Sequence, residues 1–380
     1  MVFDQARPAN LQIEMASGTT IPNAPTKPGR SELRPLLSIT AFADRPSVLM
    51  SRLSSFRIGK PSSTPDQAIY AAFAAQEHGL SFRDLDDGSG LLFSVASATG
   101  ELTFGGGRCS YYPQNNATAT TLANDKYLAS RVLDHAGVTT LGGRYFFLHD
   151  RHRALRPPGH DREDAIAYLD ELGGRGFAKP LIGSRGDFAQ VVDSDSVGAY
   201  LDEVARYYDA VLLQPIVDGD EYRVFVLGDE VLYCARKYPP DLVGDGVRSL
   251  RALLAEREQA LRARGIAAVA ADEPSLDRVL AAGERWTLPG RMNRSAGGRM
   301  AMQAPEDEGV AYALARRAVG ALGLQLGAVD LFTGIAAAPA IRVIEVNANP
   351  SIRFLEDCGR EDLILHIWHD TFARMGLLDV

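Results

Sequence analysis

Cysteine is scarce. The chain has three, Cys109, Cys234 and Cys358, in 380 residues. That number and scatter exclude a disulfide framework and a cysteine-built zinc site, so reduced thiols in a cytoplasmic protein are expected. No run of about 18 apolar residues occurs, which excludes a hydrophobic membrane-spanning helix. The start, Met1-Val-Phe-Asp-Gln-Ala-Arg-Pro8, lacks the basic and apolar blocks of a signal peptide. Basic residues are outnumbered, 40 against 48 acidic, for a net charge of −8. No nucleic-acid footprint follows, although a local basic pocket for a small anion remains compatible with that balance. There is no Gly-x-x-x-x-Gly-Lys-Ser/Thr loop, so a P-loop is excluded. Internal repeats are absent too.

What is present is the composition of a globular protein, 46% hydrophobic, with enough length to bury a large core. The fold class expected is α/β in the broad, α+β sense. Residues 1–32 read as a flexible arm, 33–120 as a small α/β domain, and 121–380 as a larger body with lobes at about 140–215 and 216–380. Thr64 and Pro65 open a helix that Gly79 ends, and Asn124-Asp125 opens another that Gly137 ends. Strands are predicted at 91–98, 102–104, 176–181, 211–217, 222–227, 230–236, 328–333 and 341–347. Helices are predicted at 161–172, 249–264, 308–322 and 361–375.

The most informative segment runs from Gly327-Ala-Val-Asp330-Leu-Phe332 through a loop to Ile341-Arg-Val-Ile-Glu345-Val-Asn347. Symmetric pairing of the two strands puts Asp330 beside or opposite Glu345, with Asn347 on the face of Glu345. Val329, Leu331, Ile344 and Val346 then point the other way, into a core. Opposed carboxylates repel unless something neutralises them, and a hard divalent cation does so while keeping positions for phosphate oxygens. Asp330, Glu345 and Asn347 are therefore the candidate ligands of Mg²⁺, with Mn²⁺ as the alternative. A solvated acidic strand face is the competing reading.

Phosphates need cations and backbone donors. In Phe177-Ala-Lys179-Pro-Leu-Ile-Gly183-Ser184-Arg-Gly186, a strand ends in a lysine and passes into a glycine-containing loop. Lys179 offers a point charge and the loop at Gly183, Ser184 and Gly186 offers amides, though a solvated loop has the same appearance. Gln214, Ile216 and Val217 can present polar groups to an adenine edge, and Glu221 can accept from ribose hydroxyls. An ordinary strand and turn would also account for these four.

With these residues in view, the sequence resembles the ATP-grasp superfamily over roughly 120–375. Glu345-Val-Asn347-Ala-Asn-Pro350 looks like its metal-binding Glu-x-Asn-x-x-Pro segment, with Asp330 the upstream carboxylate. Asn124-Asp-Lys126 resembles the start of the nucleotide region, which makes Lys126 the first phosphate lysine and Lys179 the second. Gln214 and Glu221 match the adenine and ribose positions, where many members have glutamate in place of Gln214. Ala235-Arg-Lys-Tyr-Pro-Pro-Asp-Leu-Val-Gly-Asp-Gly-Val-Arg-Ser-Leu250 and Met292-Asn-Arg-Ser-Ala-Gly-Gly298 are similar to the ATP-grasp module of cyanophycin synthetases and bifunctional glutathione synthetases. Two departures are visible: Arg299-Met300 where an acidic residue is common, and Ser351 where glycine is common after Pro350.

The resemblance implies a ligase that joins a small-molecule carboxylate to an amine, such as an amino acid or short peptide, through an acyl phosphate, with release of ADP and phosphate. Arg223 and Arg236 would line the phosphate and substrate side and Asn293 the acceptor side, while the glycine loop closes over ATP. Arg294, Arg299 and Arg353 favour an anionic substrate. No nucleic-acid or membrane partner is implied, and a homo-oligomer is compatible. A kinase that stops at phosphorylation, or an ATP-binding regulator, has the same expected fold.

Overall fold

The computed structural model describes residues 52–61, 63–105, 110–183, 186–263, 276–288 and 298–379. These belong to one compact unit, Met50–Val380. The expected arm, 1–32, lies outside the described residues.

The helix predicted after Thr64 spans Asp66–Glu77 and ends before Gly79, whose φ of +68° favours glycine. Thr64 does not cap it: Pro65 holds the cap position and the Thr64 hydroxyl is buried without a partner. Three antiparallel strands follow, β1 (Ser81–Asp84), β2 (Leu92–Ala96) and β3 (Glu101–Gly105), in the order β1-β2-β3. Phe93 and Phe104 stack at 5.1 Å on one side of this sheet. Their core also contains Phe225, Leu326, Trp368 and Phe372, so the N-terminal segment is completed by distant parts of the chain.

A second sheet contains β4 (Arg144–Phe147), β5 (Arg175–Pro180), β6 (Gln190–Asp193) and β7 (Ala210–Gln214), ordered β4-β7-β5-β6 and antiparallel. Helices Arg162–Glu171 and Val197–Val204 cover the face that carries Phe146, Ala178 and Leu213. Strand alternation sends the neighbouring residues the other way. Tyr145, Leu212 and Lys179 therefore form one cross-strand row on the uncovered face.

Beyond 215 the chain enters the largest sheet through β8 (Asp220–Leu227) and β9 (Glu230–Tyr238). A side excursion pairs β10 (Asp241–Val243) with β11 (Arg285–Thr287) and packs them with helix Leu250–Ala263 through a leucine core. The sheet resumes with β12 (Arg299–Met302), β13 (Leu326–Thr333) and β14 (Arg342–Asn347), in the order β12-β9-β8-β13-β14. Helices Ala117–Asn124, Lys126–His135 and Glu308–Ala321 bury the face that presents Val224, Val329 and Leu331.

Asp330 pairs directly with Glu345, and a bulge follows between Asp330 and Leu331, so that Leu331 faces Val343. The bulge changes which residue is buried. Val343 and Val346 enter the core, whereas Ile344 is half-buried and lines a cleft. The predicted inward position of Ile344 is thus corrected by one irregular residue.

The two large sheets are tied at one edge. The segment 139–141 bonds along β14 through the Val343 amide and carbonyl. Gly142 and Gly143 then lead into β4. At Gly143 (φ +115°) a Cβ would sit 2.4 Å from the Leu213 carbonyl oxygen, so only glycine passes.

Candidate active site

The site is built from the helix start at Asp125, the end of β5, the end of β7, and the facing ends of β8, β9, β13 and β14. Asp125 caps helix Lys126–His135 by accepting from the Tyr127 and Leu128 amides at 3.0 and 2.9 Å. This cap places Lys126 at the first helical position, where its Nζ donates to the Gly183 carbonyl at 2.8 Å. The first residue of the glycine loop is thereby joined to the start of this helix.

Lys179 is only 5% exposed and makes no hydrogen bond or ion pair among the described residues. Burial drives its ammonium down to about 8; Glu345 opposes that shift, Lys126 adds to it, and Glu221 and Asp330 also oppose it. Burial likewise lowers Lys126, with Glu345 and Asp125 as partial compensation. Lys179 of one sheet and Glu345 of the other thus act on one another electrostatically, and Lys126, at the start of its helix, senses the same carboxylate from 219 positions away in the chain.

On the large sheet, Arg223 lies directly across from Asp330 and grips its carboxylate with both edges, Nε to Oδ1 at 2.8 Å and Nη2 to Oδ2 at 2.7 Å. Lys237 reaches the same Oδ2 at 2.9 Å and also pairs with Glu221. Burial pushes the Asp330 carboxyl up, but Arg223 and Lys237 together outweigh it and hold the group well below the usual carboxylate range. For Lys237 burial is unfavourable as well, and Asp330 and Glu221 reverse it, leaving the ammonium more basic than usual. Two cations and two anions therefore form a closed, buried tetrad.

Glu345 differs from Asp330. It is half-buried and forms no ion pair among the described residues. Asn347 Nδ2 stands 3.4 Å from Asp330 Oδ2 and 3.4 Å from Glu345 Oε1, between the two carboxylates. Two carboxylates and an amide converge on one point, and with the amide turned over so that Oδ1 replaces Nδ2 they would form an oxygen-donor set suited to a hard cation. The residues fit Mg²⁺ in donor chemistry. Asp330 enters such a set with its charge already shared by Arg223 and Lys237.

Gln214 is 3% exposed and lines the cleft between Lys126 and Glu345. Its Nε2 donates to the Gly142 carbonyl at 2.6 Å, which the passage at Gly143 makes possible. Its Oε1 is buried without a hydrogen-bond partner. Ile216 and Val217, exposed and half-buried, lie in the connection from β7 to β8.

Three expectations change. Arg236 is opposite Tyr222 in the ladder, so alternation sends its side chain to the other face of the sheet from Arg223 and Asp330. There it pairs with Asp220 and lies over the Tyr238 ring at 5.1 Å. The residue that enters the cluster in its place is Lys237, one position on. Secondly, Arg223 is engaged on Asp330 rather than standing free for phosphate, and Glu221 is engaged by Lys237 rather than open for ribose. Thirdly, Arg299 stacks on Tyr238 at 4.1 Å and Arg353 pairs with Asp66, Glu356 and Asp357. Neither is an unpartnered cation. Ser184, Asn293 and Arg294 lie outside the described residues; Gly183 and Gly186 flank Ser184 and Arg185.

With this geometry in hand, known proteins can be compared. No family model matches the sequence. A glutathione biosynthesis bifunctional protein of Desulfotalea psychrophila is 25% identical over 258 residues, covering 63% of this chain and 32% of the relative. The likeness is to ATP-grasp ligases. The chain thus spans about a third of that curated relative's length. Among solved structures, a bifunctional glutathione synthetase from Pasteurella multocida aligns with a TM-score of 0.49 at 18% identity, over 83% of this chain and 44% of the other. The ATP-grasp ligase PsnB, complexed with a minimal precursor, aligns with a TM-score of 0.40 at 17% identity, over 69% of this chain and 64% of its own.

Proposed function

We propose that the chain is an ATP-dependent carboxylate–amine ligase that forms an acyl phosphate and releases ADP and phosphate. One observation carries this reading: Lys179 at the end of β5 and Lys126 at the start of its helix are both brought near Glu345 of the larger sheet, where Asp330 and Asn347 also stand. The Lys179 ammonium is buried with no ion-pair partner among the described residues and Lys126 has only carbonyl acceptors, and a polyanion such as triphosphate would relieve both. The orphaned Gln214 Oε1 suits a donor on the base, such as the adenine amino group.

In this reading Lys126 and Lys179 hold the transferring phosphate, and Glu345, Asn347 and Asp330 hold Mg²⁺. The cation supplies charge neutralisation at the phosphates. The carboxylate substrate attacks the γ-phosphorus, and the acyl phosphate is then taken by the amine, with positioning as the main contribution of the protein. The excursion around helix Leu250–Ala263 and the 289–297 segment, which includes Asn293, are assigned to the substrate side. The N-terminal segment and the two lobes, divided near 215, are the working domains proposed.

The chemistry is checked by an ADP-release screen of carboxylic acids with and without amino acids, followed by hydroxylamine trapping. A ligase gives hydroxamate from the correct acid without amine, and ADP with phosphate from the full reaction. Stable phosphorylated product would instead establish a kinase, binding without substrate-dependent turnover a regulator, and AMP would overturn the acyl phosphate.

The depressed Lys179 ammonium adds a pH prediction. Between its folded value of about 8 and the unfolded value near 10.5, the unfolded chain holds a proton the folded chain lacks. The stability contribution of this group accordingly rises with pH across that window. Phosphate binding needs the charged form, so its sign is opposite. Affinity for a non-hydrolysable ATP analogue should vary little below pH 8 and fall by approaching about tenfold per unit above it. Lys179→Ala should bind more weakly and lose this dependence. Calorimetry at several pH values measures both, and a flat wild-type profile to pH 9.5 would remove Lys179 from the phosphate site.

A further inference from the structure

Lys237 is the one site residue whose partners belong to two different expected functions. Its ammonium contacts Asp330, a candidate cation ligand, and Glu221, the candidate ribose acceptor. It is 5% exposed, so little water is available to replace either contact. Main-chain pairing fixes this arrangement. Glu221 and Arg223 alternate on β8, Arg223 lies across from both Asp330 and Ala235, and Lys237 follows two residues along β9. All four charged side chains therefore share one sheet face.

We propose that Lys237 competes with the divalent cation for Asp330, and that Glu221 determines how readily it yields. This rests on the cation site proposed above. An ammonium at 2.9 Å from Asp330 Oδ2 supplies the positive charge that a divalent ion would otherwise bring to the same oxygen. For the ion to use Asp330, Lys237 must give up that contact. It can do so without being left unpaired because Glu221 remains bound to it. An incoming phosphate gives the ammonium a second destination, and Glu221 is then released. Cation uptake and nucleotide uptake are thereby coupled through one side chain. Arg223 cannot serve in this way: its bidentate grip uses both carboxylate oxygens and it has no alternative anion among the ion pairs of the described residues.

The competition has a sign that a purely structural role lacks. Lys237→Met removes the competitor and makes the cluster one charge more negative, so Mn²⁺ should bind about tenfold more tightly. Glu221→Gln removes the fallback partner, so Lys237 holds Asp330 harder and Mn²⁺ should bind several-fold more weakly, about fivefold. Loss of fold would weaken both. The experiment is titration of the full chain with Mn²⁺ alone, free ion followed by electron paramagnetic resonance, for wild type, Lys237→Met, Glu221→Gln and Glu345→Gln, with circular dichroism of each. Opposite shifts for the first two variants are the expected result. Should Lys237→Met fail to fold, Glu221→Gln decides: unchanged or tighter binding overturns the competition. Equal or weaker Mn²⁺ binding by a folded Lys237→Met overturns it as well. Glu345→Gln separates the two levels. If it leaves Mn²⁺ binding unchanged, the cation site itself is misplaced. If it abolishes binding while the other variants do not move oppositely, only the role of Lys237 fails.

Discussion

Glu345→Gln should abolish substrate-dependent ADP formation, with a loss of about a thousandfold or more, and leave the fold intact. The substitution keeps the size of the side chain and removes one charge from a half-buried position with no ion-pair partner among the described residues. No cation is stranded by it at hydrogen-bond distance. What is lost is the carboxylate that both lysines sense most strongly after burial, and one oxygen donor beside Asn347. Turnover assays at saturating Mg²⁺ with a thermal melt check the two halves. Near-wild-type turnover would move the reaction away from this pair of strands.

Asp330→Asn should behave differently and lose stability as well as activity. The carboxylate neutralises Arg223 and Lys237 inside the sheet, where all three side chains are largely buried. Its removal leaves Arg223 without an ion-pair partner among the described residues and Lys237 with Glu221 alone. Breaking a buried pair in this way costs about 3–5 kcal/mol, which corresponds to a fall in the thermal midpoint on the order of 10 °C. Activity should vanish too, but through stability as well as chemistry. An unchanged midpoint would show that the tetrad contributes nothing to folding. The pH dependence has the same origin. Because the folded carboxyl is depressed, its stabilisation is fully present above the unfolded value near pH 3.9 and is lost only as pH falls toward the lower folded value.

Much of this protein was legible in the chain. Apolar stretches separated by turn residues located β8, β9, β13 and β14, and symmetric pairing about the loop after Thr333 was enough to put Asp330 beside or opposite Glu345, its actual partner. Asp125 announced the helix that carries Lys126 because its cap chemistry is local. The short strands β1, β4, β6, β10, β11 and β12 were not read, since three or four residues carry too little alternation to stand out. Local sequence could not foresee the bulge after Asp330 either, which exchanges Val343 for Ile344 in the core. Nor could it choose between Arg236 and Lys237. Adjacent strand residues point to opposite faces, and which face meets Asp330 depends on the register of β9 against β8 and of β8 against β13. The sequence by itself determined the chemistry available: two lysines, two carboxylates, an amide, and the strands and helix that hold them. Only the tertiary structure decided which charges meet, because the smaller sheet must pack before Lys179 senses Glu345, the helix that starts at Lys126 must dock on β14 before Lys126 does, and β9 must pair with β8 before Lys237 can reach Glu221 and Asp330.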